Sequence, residues 1–307
     1  MRFSFFAVFL SGLALAVAAL CLKAVRGEAP GYVELARGEG VEIGGDVLAL
    51  KDFRVLRYAS GKIRQYESDV HVVDREKREA VHAVVSVNHP FVWKGFWIYQ
   101  NSYDAETERS TVLMVRRDPF LPLAAAGGLA MLAAAFLGIF AFFRAPTEGR
   151  AAASRARRTA NAIAAFAVFA LPLFIVGRAV LRPDPPPALQ SPLMAPHVAA
   201  YMLGYLIMIF ATFGIGRRFM GLGFFFMVCG FVLGAAWGKI CWGDFWQYDP
   251  KEMWSLFTIV SYFAYFAFRR VRTLEPVLRY LSLALIVFTL TWVNFSRFFA
   301  GIHSYAR

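Results

Sequence analysis

Long uninterrupted apolar runs mark the start and the second half of the chain. Residues 3–22 form an uncharged run of 20 residues, enough to cross a bilayer core of about 30 Å. We interpret this run as an uncleaved anchor, because it exceeds the apolar part of a signal peptide and Lys23 follows directly. Six more runs predict a mostly α-helical membrane bundle of about seven spans: 120–143, 159–177, 198–216, 219–237, 253–268 and 280–296.

Between the first two runs the pattern changes to short stretches in which apolar and polar residues alternate. Two of them, 53–58 and 81–87, have the period of two that is typical of strands, and Ser60-Gly61 is a turn signal between such stretches. This predicts a small, mostly antiparallel β domain of about six strands. The predicted organisation is an anchor over 1–22, a β domain over 23–118 and a six-span membrane domain over 119–307.

Composition and charge support a membrane protein. Hydrophobic residues make up 58% and charged residues 18%, against about 45–50% and about 25% in soluble domains. The net charge is +12, but residues 23–118 hold 15 acidic and 15 basic residues and are neutral. The excess therefore lies in short basic clusters between apolar runs, which orient membrane helices and do not indicate a nucleic-acid partner.

The basic clusters predict one topology. They fall within 144–158, at Arg217 and Arg218, and within 269–279. If these loops are cytoplasmic, the N-terminus is cytoplasmic as well, and the β domain and the C-terminus are extracytoplasmic. We expect an integral multi-pass protein of a bacterial inner or plasma membrane. The proline-rich segment 182–197 is then outside, and we expect it to be extended and stiff.

Two of the five histidines flank an unusual aromatic stretch in the membrane half. His197 lies where the fourth span starts and His303 lies just after the seventh, so the topology places both at the outer face. Four of the seven tryptophans fall within residues 237–254, which we call the aromatic segment. Its candidate site residues are Trp237, Trp242, Trp246, Tyr248, Asp249 and Trp254.

Helical spacing would place Trp242, Trp246 and Asp249 on one face of a helix. Pro250 would open the next helix, with Asp249 as its cap. A wall of indoles with polar groups at its edge suits a flat amphiphilic ring. Haem is such a ring. Its propionates would pair with Lys251 or Arg297, and its iron would be coordinated by two His ligands. A quinone also fits the wall but would not require two histidines, and the chain has no CxxCH motif for covalent haem of its own.

Four stretches of the sequence resemble known families. WGDFWQYDPKEMWSL (242–256), GIHSYA (301–306) and SPLMAPHVAAY (191–201) resemble segments of the CcsA family of cytochrome c assembly proteins. VNHPFVWKGFWIYQNSYD (87–104) resembles a segment of the ResB family, the usual partner of CcsA. The chain thus looks like a shortened ResB-like part fused to a shortened CcsA-like part. Two positions depart from the CcsA pattern: Tyr248 stands where a Trp is usual, and Ala267 where the sixth span often has His.

The resemblance implies cytochrome c biogenesis. Haem of the b type would be held non-covalently at the outer face, with His197 and His303 as axial iron ligands, and presented to the CxxCH motif of apocytochrome c. It implies haem lyase activity, alone or in a complex, and as partners apocytochrome c, a thiol-reducing protein, other assembly subunits and membrane lipid. Two alternatives stay open: a haem exporter or chaperone without ligase activity, and a membrane b-type cytochrome that takes electrons from quinol.

Overall fold

A computed structural model describes residues 2–143, 159–163, 166, 183–215 and 219–291 of the chain. Six α-helices carry the apolar runs that fall within these residues. They are α1 Arg2–Arg26, α2 Leu121–Phe143, α3 Met194–Thr212, α4 Met220–Trp242, α5 Pro250–Phe268 and α6 Leu274–Leu290. Their shared core is aromatic and sulfur-rich, and Phe9, Met131, Phe224, Met227 and Tyr262 are fully buried in it.

Four of the described helices are long and apolar enough to cross a membrane. These spans are Phe5–Arg26, Leu121–Ile139, Met194–Thr212 and Met220–Trp242. They confirm four of the seven predicted runs and support a membrane protein. The run 253–268 is helical throughout and the run 280–296 is helical up to Leu290, and the run 159–177 lies mostly outside the described residues. Seven spans therefore remain a prediction.

Residues 31–117, which we call the β part, form two four-stranded antiparallel sheets. The strands are β1 Gly31–Ala36, β2 Gly40–Ile43, β3 Asp46–Arg57, β4 Ile63–Asp74, β5 Glu79–Ser86, β6 Phe91–Trp93, β7 Phe96–Tyr103 and β8 Ser110–Arg117. The first sheet has the order β1-β8-β7-β6 and the second β2-β3-β4-β5. Both sheets bury apolar faces, with Leu48, Val70, Ile98 and Leu113 almost inaccessible.

The expectation of about six strands was wrong, because there are eight. The two extra strands are short: β2 has four residues and β6 has three. The predicted turn at Ser60-Gly61 is confirmed between β3 and β4, and Gly61 has a φ of +82°. The predicted order of a helix, a β part and further helices is also observed, although α1 runs on to Arg26.

Several contacts place the β part at one end of the helical bundle. Asp118, just after β8, accepts from the Nζ of Lys23 in α1 at 3.2 Å and of Lys239 in α4 at 2.7 Å. Asn88, after β5, donates from Nδ2 to the Pro187 carbonyl at 2.7 Å, close before α3. The end of α1, the start of α3 and the end of α4 therefore meet at the β part.

This arrangement makes the predicted topology testable by cysteine labelling. In a background without Cys21, Cys229 and Cys241, we expect Ser60→Cys to react with a membrane-impermeant maleimide from outside intact cells. Ser60 is suitable because it is an exposed turn residue. Ser154→Cys, in an arginine-rich loop, should react only after the membrane is opened. Labelling of both positions from the same side would contradict the topology.

Candidate functional site

His197 lies in the first turn of α3, against the neighbouring helix α4. Its Nδ1 is 2.8 Å from the carbonyl oxygen of Gly230. A carbonyl oxygen only accepts, so Nδ1 carries the proton and the lone pair of the ring is on Nε2. This contact fixes both the tautomer and the orientation of the ring, as a backbone carbonyl often does behind a metal-binding His.

The imidazole fits against α4 because Gly234 has no side chain. A Cβ at that position would lie 2.6 Å from Cε1 of His197 and 2.8 Å from its Nδ1. Real contacts of carbon atoms are not that short, so any other residue at 234 would displace the ring. Sequence reasoning identified His197 but missed Gly230 and Gly234, because only the pairing of α3 with α4 brings them to the ring.

Trp237 and Trp242 continue the aromatic surface from His197 along α4. The Trp237 ring centroid is 5.8 Å from that of His197 and 4.9 Å from that of Trp242. Trp237 is almost fully buried, and its Nε1 donates to the Ala188 carbonyl at 3.2 Å. The structure thus brings together three of the predicted site residues: the histidine and two tryptophans.

The expected shared helix face of Trp242, Trp246 and Asp249 was wrong. Helix α4 ends at Trp242, and Gly243 adopts a left-handed conformation with a φ of +81°. A glycine of this conformation is a common helix stop, and its amide donates to the Lys239 carbonyl at 3.1 Å. Residues 243–249 are therefore a loop, and Trp246 and Asp249 are positioned by that loop.

Trp246 and Tyr248 lie on this loop in different surroundings. Trp246 is buried, with its ring centroid 5.7 Å from that of Phe231. Tyr248 has 66% of its surface exposed and a φ of +56°, which is unfavourable for a residue with a side chain. The loop therefore holds an aromatic ring out toward the surroundings at a cost in backbone energy.

Asp249 caps α5 as predicted, and Pro250 is the first residue of that helix. The Asp249 carboxylate accepts from the Lys251 amide at 2.9 Å, and the capping box is completed by Glu252. Oε2 of Glu252 accepts from the amides of Asp249 at 3.3 Å and Gln247 at 2.8 Å. Such a cap contributes about 1 kcal/mol to helix stability and here also fixes the end of the loop.

Trp254 packs where α5 meets α6. Its ring centroid is 4.5 Å from that of Phe288, near the end of α6, and 5.5 Å from that of Phe257. The end of α6 therefore lies beside the start of α5, at the same end of the bundle as the aromatic segment. His303 and Arg297 follow α6 in the sequence but lie outside the described residues.

A largely buried group of five charged residues, which we call the ion cluster, contacts the loop. Asp244 accepts from Lys23 Nζ at 2.7 Å and from Arg116 Nη1 at 3.0 Å, and Asp118 joins Lys23 to Lys239. The Lys239 ammonium also contacts the Gly243 carbonyl at 3.2 Å and lies 5.0 Å from the Trp97 ring centroid. The ion cluster joins α1, the β part, α4 and the loop. Sequence reasoning missed it, although a lysine near the end of an apolar helix is itself a signal.

The electrostatics of Asp118 follow from its surroundings. Burial alone would raise the pKa of Asp118, but the hydrogen bond and charge of Lys239, with the charge of Lys23, outweigh burial and hold the pKa below its usual value. The carboxylate is therefore ionised at neutral pH, and each lysine is held by an anion.

The proline-rich segment contacts the aromatic surface at Trp237. Its described residues include a short 3-10 helix, Pro187–Gln190, so the segment is not extended throughout as expected. Tyr58 donates its hydroxyl to the Pro185 carbonyl at 3.0 Å, and Gln190 Nε2 donates to the Arg64 carbonyl at 2.7 Å. The end of the second sheet where β3 turns into β4 thus holds the segment that also contacts Trp237 and leads into His197.

Comparison with known families gives one match within the β part and one within the helical part. Residues 213–303 match the cytochrome C assembly protein family. Residues 32–109 match the ResB-like family. The predicted resemblance to both families is confirmed. The first match contains the whole aromatic segment and ends at His303, whereas His197 precedes it.

Individual relatives of the assembly-protein segment are named cytochrome c biogenesis protein CcsA. The chain is 38% identical to the one of Gloeobacter violaceus over 91 residues, which cover 29% of this chain and 27% of the relative. It is 34% identical to the one of Populus trichocarpa over 93 residues, which cover 29% of each chain. It is 36% identical to the one of Glycine max over 93 residues, which cover 29% of this chain and 28% of the relative. The chain thus matches less than a third of the length of these relatives.

The ion cluster connects the end of the β part to α4 and the loop. A mutation in the cluster therefore tests this connection. We expect Asp118→Asn to destabilise the detergent-solubilised protein by about 3–5 kcal/mol, since it leaves the buried Lys239 ammonium without its carboxylate partner. This corresponds to a melting temperature lower by roughly 10 °C. Glu67→Gln is the matched control, because the Glu67–Arg54 pair is more exposed and its loss should cost at most about 1 kcal/mol.

The pH dependence of the melting temperature is a second test that uses the same two proteins, wild type and Asp118→Asn. Because the pKa of Asp118 is lowered by folding, its contribution to stability is complete above the unfolded-state pKa of about 4 and is lost as the pH falls through the lower folded value. The difference in melting temperature between wild type and Asp118→Asn should therefore be constant near neutral pH and shrink in acid. Equal melting temperatures at neutral pH would contradict a structural role of the cluster.

Proposed function

We propose that the chain acts in cytochrome c biogenesis by holding haem at the outer membrane face for transfer to apocytochrome c. The observation that carries this proposal is the contact of His197 Nδ1 with the Gly230 carbonyl at 2.8 Å. It leaves the lone pair of the ring on Nε2, the nitrogen that would bind iron, and it keeps the ring beside Trp237.

The surroundings of His197 fit a haem of the b type as non-covalent cargo. Trp242 would supply a flat apolar face and the buried Trp237 would back it, Tyr248 is an exposed aromatic ring on the loop, and Trp246 and Asp249 order that loop. We assign to Lys251, in the first turn of α5, the role of pairing with a haem propionate. Arg297 is the second candidate for this role. Trp254 would support the site from behind through its contact with α6.

His303 is proposed as the second axial ligand. The Trp254–Phe288 contact supports this assignment, because it brings the end of α6 to the end of the bundle where His197 lies. Only 12 residues separate Leu290 from His303. A chain of this length that leaves α6 beside the aromatic segment is long enough for His303 to reach the haem iron that His197 would hold.

The proposed reaction needs little acid–base chemistry from the protein. In each thioether bond a cysteine S–H adds across a vinyl C=C, so that sulfur bonds to one carbon and hydrogen to the other without net oxidation. Placement of the vinyl groups against the CxxCH thiols is then the main contribution, which is catalysis by proximity and orientation. The edge strands β1, β6, β2 and β5 are candidate positions for an apocytochrome segment added as a strand.

The first test concerns the iron ligands. Purified wild-type protein should carry about one low-spin haem, and we expect His197→Ala and His303→Ala each to lose the low-spin spectrum. Added imidazole should restore it by refilling the ligand position. His89→Ala is the control, because His89 is an exposed residue of the β part and its loss should leave the spectrum unchanged.

The His197→Ala/His303→Ala double variant extends this test to the number of sites. Ala267, where the related sixth span often has His, supplies no ligand, so we expect the double variant to lose all haem. Haem retained by the double variant would indicate a second site. An unchanged spectrum in both single variants would contradict the assignment of His197 and His303.

The second test separates a haem lyase from a chaperone. Co-expression with an apocytochrome that has one CxxCH motif should give covalently bound haem, detected by haem staining after denaturation. A client with both cysteines changed to serine is the control and should give none. Haem bound to the membrane protein without covalent product from the CxxCH client would favour the exporter or chaperone, and quinol-dependent haem reduction would favour a b-type cytochrome.

A further inference from the structure

We propose a metal site on the outer face of the second sheet, formed by Asp69, His71 and His82 and suited to a divalent late transition metal ion such as Zn²⁺. The proposed haem function uses none of these residues. They belong to β4 and β5, which pair antiparallel from Glu67↔Ser86 to Asp74↔Glu79. The proposal therefore stands or falls independently of the haem site.

Strand register brings the three side chains to one place. His71 and His82 are directly opposite each other, so their side chains share a face, and Asp69 shares it because it lies two residues before His71. The two imidazole centroids are 5.1 Å apart, and Nε2 of His82 is 2.6 Å from Oδ1 of Asp69. One ligand atom from each residue lies within 4.8 Å of the others.

Only small side-chain movements would close this group around an ion. Zn–N and Zn–O bonds of about 2.0–2.2 Å in a tetrahedral arrangement separate the ligand atoms by roughly 3.4 Å. The strands provide a rigid base for these movements. On the other side of β4, Ala49 is opposite His71 and has only a methyl group, which leaves room above the imidazole.

The ligand set selects the class of metal. Two imidazoles and one carboxylate suit Zn²⁺ and Cu²⁺, whereas Ca²⁺ and Mg²⁺ prefer sets of oxygen ligands. Three protein ligands also leave a coordination position for water or another molecule. The Asp69 side chain is 16% exposed and that of His82 is 51% exposed, so an ion can enter from solvent while the carboxylate stays held by the sheet.

The nearest basic residues on this face are each paired with a carboxylate, Arg37 with Asp52 and Arg54 with Glu67. Asp52 is opposite Asp69 on β3 and adds a second carboxylate next to the site. The hydrogen bond from Arg37 is the main cause that lowers the pKa of Asp52, so this carboxylate is ionised and already paired. We therefore assign Asp52 a supporting position and the three other residues the role of ligands.

Zn²⁺ titration of the purified full chain in detergent, monitored by calorimetry, tests the proposal. The affinity tag must be free of histidine. We expect one Zn²⁺ per chain at this site and a loss of affinity of at least about tenfold in His71→Ala, His82→Ala and Asp69→Asn. Co²⁺ should give the visible absorption of a tetrahedral complex in wild type and lose it in the same variants.

Two controls keep the result specific. His89→Ala removes a histidine of the same β part outside the group and should leave Zn²⁺ affinity unchanged. His197→Ala should also leave it unchanged, which separates this site from the proposed haem ligands. Melting curves without metal show whether each variant is folded. Equal Zn²⁺ binding by wild type and a folded His71→Ala/His82→Ala variant would overturn the proposal and leave Asp69 and His82 as a hydrogen-bonded pair only.

Discussion

The burial of Lys239 near the end of an apolar helix is the constraint on which the arrangement of the protein depends. An ammonium group removed from water costs several kcal/mol unless an anion and further hydrogen-bond acceptors surround it. Asp118 and the Gly243 carbonyl fill these roles at 2.7 and 3.2 Å. One partner comes from the end of the β part and the other from the loop. The charge therefore fixes α4, the β part and the loop relative to one another.

Helix α4 transmits this constraint to the candidate haem ligand. The same helix carries Lys239, the two tryptophans and the carbonyl of Gly230 that orients His197. The β part acts on the site from a second side, because its loops hold the proline-rich segment that hydrogen-bonds Trp237 and leads into α3. A movement of the β part would thus disturb both the loop and the histidine. This explains in physical terms why a ResB-like part and an assembly-protein part function as one chain in our proposal.

Local features of this chain could be predicted from its sequence, and features made by distant residues could not. The apolar runs predicted four spans, and Asp249 and Pro250 predicted the start of α5, because these signals lie within one element. The loop after Trp242 was predicted as helix because the aromatic spacing matches a helix, whereas Gly243 stops it. The ion cluster was missed because Lys23 and Asp244 are 221 positions apart. Strands β2 and β6 are too short to show an alternating pattern.

The two sheets of the β part differ in what they contact. This domain therefore has features that the proposed binding of a partner strand does not require. Its first sheet places Trp97 and Tyr99 against Lys239, with ring centroids 5.0 and 5.9 Å from the ammonium, so this sheet supports the aromatic segment directly. Its second sheet turns Asp69, His71 and His82 outward, where polar residues are not needed for packing. Cross-strand pairing of two histidines beside a carboxylate stabilises a sheet little by itself. Because those side chains add little to the fold, the proposed metal site would be a property of the surface, and its loss would not disturb the support that the first sheet gives to the proposed haem site.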